Sequence, residues 1–352
     1  MFVKTICCIL RNSRAELIFQ RTLSSAPDPV PSTQLKELSD YSTRLLKVAI
    51  IGTPNAGKST FINSLMDRKV CATSSKVHTT RGKAMAVFTV DDAQIVFIDT
   101  PGLVNDKEKK KYNLEKSFLK DSRSVLHQAD AVGVIHDVSN VWTRERLDIK
   151  IIKLLFMNPN VPSFLVMNKI DILKSKRKLL DLTRQLTENC LNGKLIPGSS
   201  KIKKETNDAS KGWPNFQDIF MVSALTGNGM SEIKNYLIKQ AKPGKWMFPE
   251  QVWTDQDAEQ VITKAVQAKL LDFLPQEIPY HLKPEIEYFD INKDGAICTA
   301  VAIICPTERI ARLVAGASDG KLKQITESLQ GDLQNAFQNH VRLKLILKSS
   351  KS

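Results

Sequence analysis
The stretch Gly52-Thr53-Pro54-Asn55-Ala56-Gly57-Lys58-Ser59-Thr60 has the residue types and spacing to hold a chain of phosphates. Its glycines let the backbone curl until successive N–H groups aim at phosphate oxygens, and a helix opening here adds its positive end. In such a loop the Lys58 ammonium reaches the β- and γ-phosphates, and the Ser59 hydroxyl ligates Mg2+. An apolar run, Arg44 to Ile51, leads into it, which is the strand–loop–helix context that a phosphate loop requires. Asn55 is an unusual letter in the middle of the grip; asparagine suits a tight turn.

Three further segments supply what a phosphate loop lacks. Asp99-Thr100-Pro101-Gly102 ends an apolar run. Asp99 there would hold Mg2+ through water, and the Gly102 N–H would meet the γ-phosphate. Asn168-Lys169-Ile170-Asp171 ends another apolar run. An Asp171 carboxylate that accepts from guanine N1 and its exocyclic amine rejects adenine, which offers the wrong edge. Asn168 and the stem of Lys169 would buttress that loop, and Ser223-Ala224-Leu225 would close over the base with backbone groups. Thr79 or Thr80, before Arg81, would complete the Mg2+ shell when GTP is bound, with Thr80 preferred. Together these make a GTP site. Leu103 stands where Ras-type enzymes carry the glutamine that orients the attacking water. Leucine cannot orient water, so hydrolysis needs another group and should be slow.

These residues need a scaffold to bring them together. Apolar runs at Arg44 to Ile51, Ala84 to Val90, Gln94 to Asp99, Ala131 to Val138, Ser163 to Asn168 and Phe220 to Ser223 read as strands. Helical spacing at Ser59 to Asp67, Glu145 to Phe156 and Met230 to Ala241 places helices between and after them. Alternating strands and helices predict an α/β fold with a doubly wound, mostly parallel sheet over residues 44–242. Residues 193–213 read as a long flexible insertion. After Pro243 to Pro249 the order changes to α-β-β-α-α-β, with a helix over Asp257 to Phe273 and strands over Leu282 to Phe289 and Ile297 to Cys305. Glu308 to Asn339 is largely helical and Val341 to Leu347 is a last strand, an α+β module over residues 250–348.

The chain has 352 residues, enough for two such domains, and a formal net charge of +14. That balance suits a polyanionic partner, nucleic acid or an anionic membrane surface. The cysteines include no CxxC pair and no zinc-ligand spacing with histidine, and they suit a reducing compartment. Residues 1–25 carry Lys4, Arg11, Arg14 and Arg21 against Glu16 alone, interleaved with apolar residues. This is the pattern of a mitochondrial transit peptide, and a proline-bearing linker over 26–43 follows it.

At this point the motifs resemble the Era family, in the TrmE–Era branch of translation-factor-like GTPases. GTPNAGKST, TTR, DTPGL, NKID and SAL carry the GTPase part, and the α-β-β-α-α-β tail resembles a type II KH domain. The transit-like segment points to the mitochondrial form. The resemblance implies Mg2+, GTP and GDP as ligands, with Lys58, Asn55 and Thr80 as the catalytic set. It also implies a K+ ion held by Asn55, replacing the positive charge that an arginine finger gives elsewhere. Its implied partner is the 3′ region of the small-subunit rRNA, 12S in animal mitochondria, during subunit assembly in the matrix. A monomer and peripheral association with the inner membrane complete the expectation. Two other classes stay open: a tRNA-modification or other switch GTPase of the TrmE type, and an RNA-binding adaptor with a non-catalytic GTP site.

A KH domain clamps nucleic acid in a GXXG loop. Here the loop is Gly316-Ala317-Ser318-Asp319-Gly320, so either Asp319 replaces the second glycine or the loop slides to use Gly320. Residues 255–308 hold ten acids against four bases, and residues 309–352 hold eight bases against three acids. The basic half offers Arg309, Arg312, Lys321, Lys323, Arg342 and Lys344, with Gly316 and Gly320, as the expected RNA face.

Overall fold
The computed structural model describes residues 42–73, 84–99, 126–197, 210–275 and 277–349. The first strand, β1 (Arg44–Gly52), is buried along most of its length and feeds helix α1 (Lys58–Met66). A hairpin follows, β2 (Ala84–Val90) and β3 (Ala93–Asp99), then β4 (Ala131–Asp137). Helix α2 (Ile149–Met157), β5 (Ser163–Asn168), α3 (Arg177–Leu186), a two-residue pair β6 (Cys190–Leu191) and β7 (Lys194–Leu195), β8 (Phe216–Met221) and α4 (Met230–Gln240) complete the unit. Spatial order is β2-β3-β1-β4-β5-β8. Strand β1 pairs parallel with β3 and β4, β4 with β5 and β5 with β8, while β2 joins β3 antiparallel.

The sheet is buried on both faces, as continuous apolar strands require. Phe61, Leu65, Ile233 and Leu237 of α1 and α4 pack on one face. Ile151, Leu155, Leu179 and Leu182 of α2 and α3 pack on the other. The sheet is therefore doubly wound as expected. The direction of β1, β4 and β5 puts their C-terminal ends, Gly52, Asp137 and Asn168, at one edge, where ligands of such sheets bind.

Two element starts differ most from the sequence expectation. Helix α2 starts at Ile149 rather than Glu145, because the Asp148 side chain caps it by accepting from Lys150 N at 2.8 Å. Strand β8 runs Phe216–Met221, ahead of Phe220 to Ser223, because Gln217 and Asp218 hide the alternation in the sequence. Both ends of the expected insertion belong to the fold. Lys194–Leu195 pairs with Cys190–Leu191, and buried Trp213 donates to Ser163 Oγ and meets Phe156 edge-on. Residues 198–209 lie outside the described residues.

The C-terminal unit is α5 (Ala258–Phe273), β10 (Lys283–Ile291), β11 (Ile297–Cys305), α6 (Glu308–Ala315), α7 (Gly320–Phe337) and β12 (Val341–Ser349). Strand β11 pairs antiparallel with β10 and parallel with β12. The helices bury Val266, Leu270, Ile325 and Leu329 against Val301 and Leu343 on one face of the sheet. This is a type II KH domain. The two helices expected within Glu308 to Asn339 are present, and Gly316 (φ 77°) turns the chain between them.

The connection between the units is laid along the N-terminal unit. Strand β9 (Lys242–Pro243) pairs with β1, and Trp246 Nε1 donates to the Asp92 carbonyl. Fully buried Gln94 accepts from Met247 N and Phe248 N and donates to the Phe248 carbonyl. Thr254 then bridges to Ala86 of β2.

Candidate guanine-nucleotide site
The phosphate loop leaves β1 at Gly52 and enters α1 at Lys58. A Cβ on Gly52 would sit 2.5 Å from the Ile135 carbonyl oxygen, so only glycine fits beside β4. Gly57 has φ 95°, and a Cβ there would lie 2.4 Å from Asn168 Nδ2. Asn55 takes φ 59° with an exposed side chain, a left-handed turn that asparagine tolerates. Between them Ala56 is fully buried, Thr53 and Pro54 are half-buried, and Ser59 and Thr60 are half-buried in the first turn of α1. The Lys58 ammonium is buried and folds back over the loop, donating to the Gly52 and Thr53 carbonyls at 3.2 and 3.0 Å.

Asn168 joins three segments. Its Nδ2 donates to the Ala56 carbonyl at 2.9 Å, and its Oδ1 accepts from Lys169 N at 2.8 Å and Ala224 N at 3.0 Å. One buried amide therefore ties the phosphate loop, the NKID loop and the Ser223–Leu225 segment. Lys169 has φ 66° and donates from Nζ to Asp137 Oδ2 at 2.6 Å. Asp171 is exposed at the rim. Ser223 is buried and accepts at Oγ from Thr226 N, while the Leu225 side chain is exposed, which fits a role through its backbone.

Asp137 was not expected from the residues. Burial pushes its carboxyl up, but hydrogen bonds from Lys169 and Ser139 outweigh this and hold it below the ordinary carboxylate value. The available signal was its place at the C-terminal end of an apolar strand, like Asp99. The backbone of Asp99 ends β3, while Thr79, Thr80, Thr100, Pro101, Gly102 and Leu103 lie outside the described residues. The glycine cradle, the buried lysine and the Ser59 hydroxyl fit a nucleotide with Mg2+. Ser59 would hold the metal together with Asp99 and one of the two threonines, and the ion would neutralise charge on the β- and γ-phosphates.

In the KH domain, Gly316 has φ 77° and a Cβ on it would lie 2.7 Å from Lys321 Cβ. The left-handed residues after it are Ser318 (φ 48°) and Asp319 (φ 57°). Gly320 has φ −61° and ψ −36° and opens α7. The loop therefore does not slide, and Asp319 holds the backbone place of the second glycine. Arg309, Arg312, Lys321 and Lys323 lie on the two helices flanking this loop. Arg312 pairs with Glu308 one turn back. Arg342 and Lys344 alternate with buried Val341, Leu343 and Leu345, so they point away from the helices. The expected single basic face is divided between the two sides of the KH sheet.

Residues 47–169 match the family described as 50S ribosome-binding GTPase. "GTPase Era, mitochondrial" of Danio rerio is 39% identical over 341 residues, spanning 88% of this chain and 76% of that protein. The Salmo salar protein of the same name is 36% identical and spans 87% and 77%. Among solved structures, Era in complex with MgGDPNP and nucleotides 1506–1542 of 16S ribosomal RNA superposes with a TM-score of 0.68 at 26% identity, covering 88% of this chain and 94% of that one. Aquifex aeolicus Era bound to GDP·AlF4− gives a TM-score of 0.69 at the same identity and coverage. A glycine cradle with a guanine loop, a KH domain behind it and this extent of identity lead to one assignment: the chain belongs to the mitochondrial Era GTPases.

Proposed function
We propose that this GTPase is a nucleotide-switched chaperone of the mitochondrial small ribosomal subunit, which binds the 3′ region of its rRNA, 12S in animals, through the KH domain. The observation that carries the reading is the joint presence of both domains in one packed arrangement. The family described as 50S ribosome-binding covers only residues 47–169, so it does not speak for the RNA-binding half. The Era crystallised with a 16S rRNA fragment is similar over 88% of the chain.

The packing between domains supports a switch. Lys69 N donates to Asn335 Oδ1 at 2.8 Å, and Asp332 pairs with both Lys69 and Lys269. Trp253 stacks edge-on against Phe337 and receives the Arg68 guanidinium on its face. Residues 68–73 run directly into the segment that carries Thr79 and Thr80, and β2 follows it. The KH domain and its connection thus hold both flanks of that segment. The reading predicts that a labelled oligonucleotide of the rRNA 3′ end binds several-fold differently with GTP analogue and with GDP. Equal affinity in the two states would remove the switch.

The remaining assignments are part of the proposal. Residues 1–25 would direct the chain to the matrix and 26–43 would link them to the GTPase domain. There it would act as a monomer, with peripheral contact to the inner membrane. Among the described residues no helix is long and apolar enough to cross a membrane. Asn55 would help hold a K+ ion that supplies the charge a catalytic glutamine or arginine finger does not. In that case GTP turnover is faster in KCl than in NaCl, and Asn55→Ala abolishes the difference. A wild-type rate indifferent to the cation would leave Asn55 with its turn alone.

A further inference from the structure
The most exposed large apolar side chain described is Trp142, 90% accessible, with Val141 beside it at 62%. Its loop is rigidly built. Trp142 N donates to Asn140 Oδ1 at 3.0 Å, Arg144 N to the Asn140 carbonyl at 2.9 Å, and buried His136 bonds the Arg144 carbonyl at 3.0 Å. Leu147 anchors the far end in the core and donates from its N to the Lys211 carbonyl. The indole is therefore held out in solvent by a bonded frame.

A second segment meets this loop at Arg144, two residues after Trp142. Lys174, Lys176, Arg177 and Lys178 are all exposed at the start of α3, and Arg144 lines one shallow cleft with Lys178 and Arg184. No ion pair engages these side chains among the described residues, and the acids of the cleft are Glu145 and Asp181. Basic residues in the first turn oppose the helix dipole, and α3 has neither an acid there nor a side-chain cap. A local rule broken without a gain inside the fold points to a use outside it.

We infer that this surface of the GTPase domain binds single-stranded RNA, separately from the KH loop: Trp142 stacks on a base, and Arg144, Lys176, Arg177 and Lys178 take the flanking phosphates. An aromatic face within a positive groove is how proteins hold single strands without reading sequence. The segments leave β4 just after Asp137 and β5 just after the guanine loop, so the surface borders the nucleotide site. The inference rests on the proposed function only for the choice of RNA as the polyanion.

The test uses the full chain with Lys321→Ala and Lys323→Ala, which weakens the KH face, and a labelled 12-nucleotide single-stranded RNA followed by fluorescence anisotropy. Trp142→Ala should weaken the remaining binding roughly tenfold, with Trp142→Phe restoring most of it. Replacing Lys176, Arg177 and Lys178 by alanine should flatten the log–log salt dependence by about 2. The inference is overturned if Trp142→Ala leaves RNA binding unchanged, or if it weakens capture of ribosomal proteins but not of RNA. Trp142-dependent binding without rRNA crosslinks in mitochondria would support this surface and defeat the proposed cellular role.

Discussion
Asn168 carries more of the site than its single letter suggests. Its amide satisfies the Ala56 carbonyl, the Lys169 N–H and the Ala224 N–H at once. Each buried partner left unpaired costs about 1–3 kcal/mol. With two of the three bonds fully buried, Asn168→Ala should therefore destabilise the domain by about 2–6 kcal/mol in urea unfolding and weaken GDP binding by at least tenfold; a loss of affinity at wild-type stability would assign it to ligand contact alone. Asp319 makes the opposite prediction. Its left-handed backbone is one that glycine adopts without strain. Asp319→Gly should stabilise the KH domain by about 1 kcal/mol and tighten RNA binding by removing a charge facing phosphates. Weaker binding would show that the carboxylate makes a contact of its own. The nucleotide motifs were legible because they are local in sequence. Asp137 and the Asn168 network were not, because their partners lie on other strands.

At the scale of elements, most strands were legible because a sheet buried on both faces reads as continuous apolar runs. The failures have physical causes. Asp148 caps α2 inside what looked like one helix, and β8 is polar where it meets solvent. Gln94 was invisible: a glutamine inside a buried strand gives no signal that its partners are 153 and 154 residues away. Gln94→Leu removes the acceptor for Met247 N and Phe248 N and should cost about 1–3 kcal/mol. Hydrogen exchange at residues 246–248 should rise with it, and unchanged protection there would mean that β9 alone holds the connection. His136 adds a pH dependence at the same scale. Burial lowers its pKa, against smaller upward pulls from the Arg144 carbonyl and Asp137. The unfolded chain then binds the proton first, so the contribution is complete above about 6.5 and is lost as pH falls below it. Urea unfolding of wild type and His136→Gln across that range should show the smaller decline in the variant.

At the scale of the whole molecule, two domains are joined by contacts that bracket one segment. Trp253 and Phe337, with the Arg68 guanidinium over the indole, form the aromatic part of that joint, and Asp332 with Lys69 and Lys269 the ion-paired part. The ion pairs are partly exposed and contribute little by themselves. Trp253→Ala removes an aromatic pair and a cation–π contact, together about 1–2 kcal/mol, and should shrink the GTP-versus-GDP difference in RNA affinity several-fold. No sequence pattern announced this joint, because contacts between domains follow no local period. The claim that the chain serves the mitochondrial small subunit is tested most directly by ultraviolet crosslinking in intact mitochondria, followed by sequencing of the bound RNA. Crosslinks concentrated in the 3′ region of the small-subunit rRNA are the expected result. Recovery of tRNAs, of large-subunit rRNA or of no RNA would contradict it.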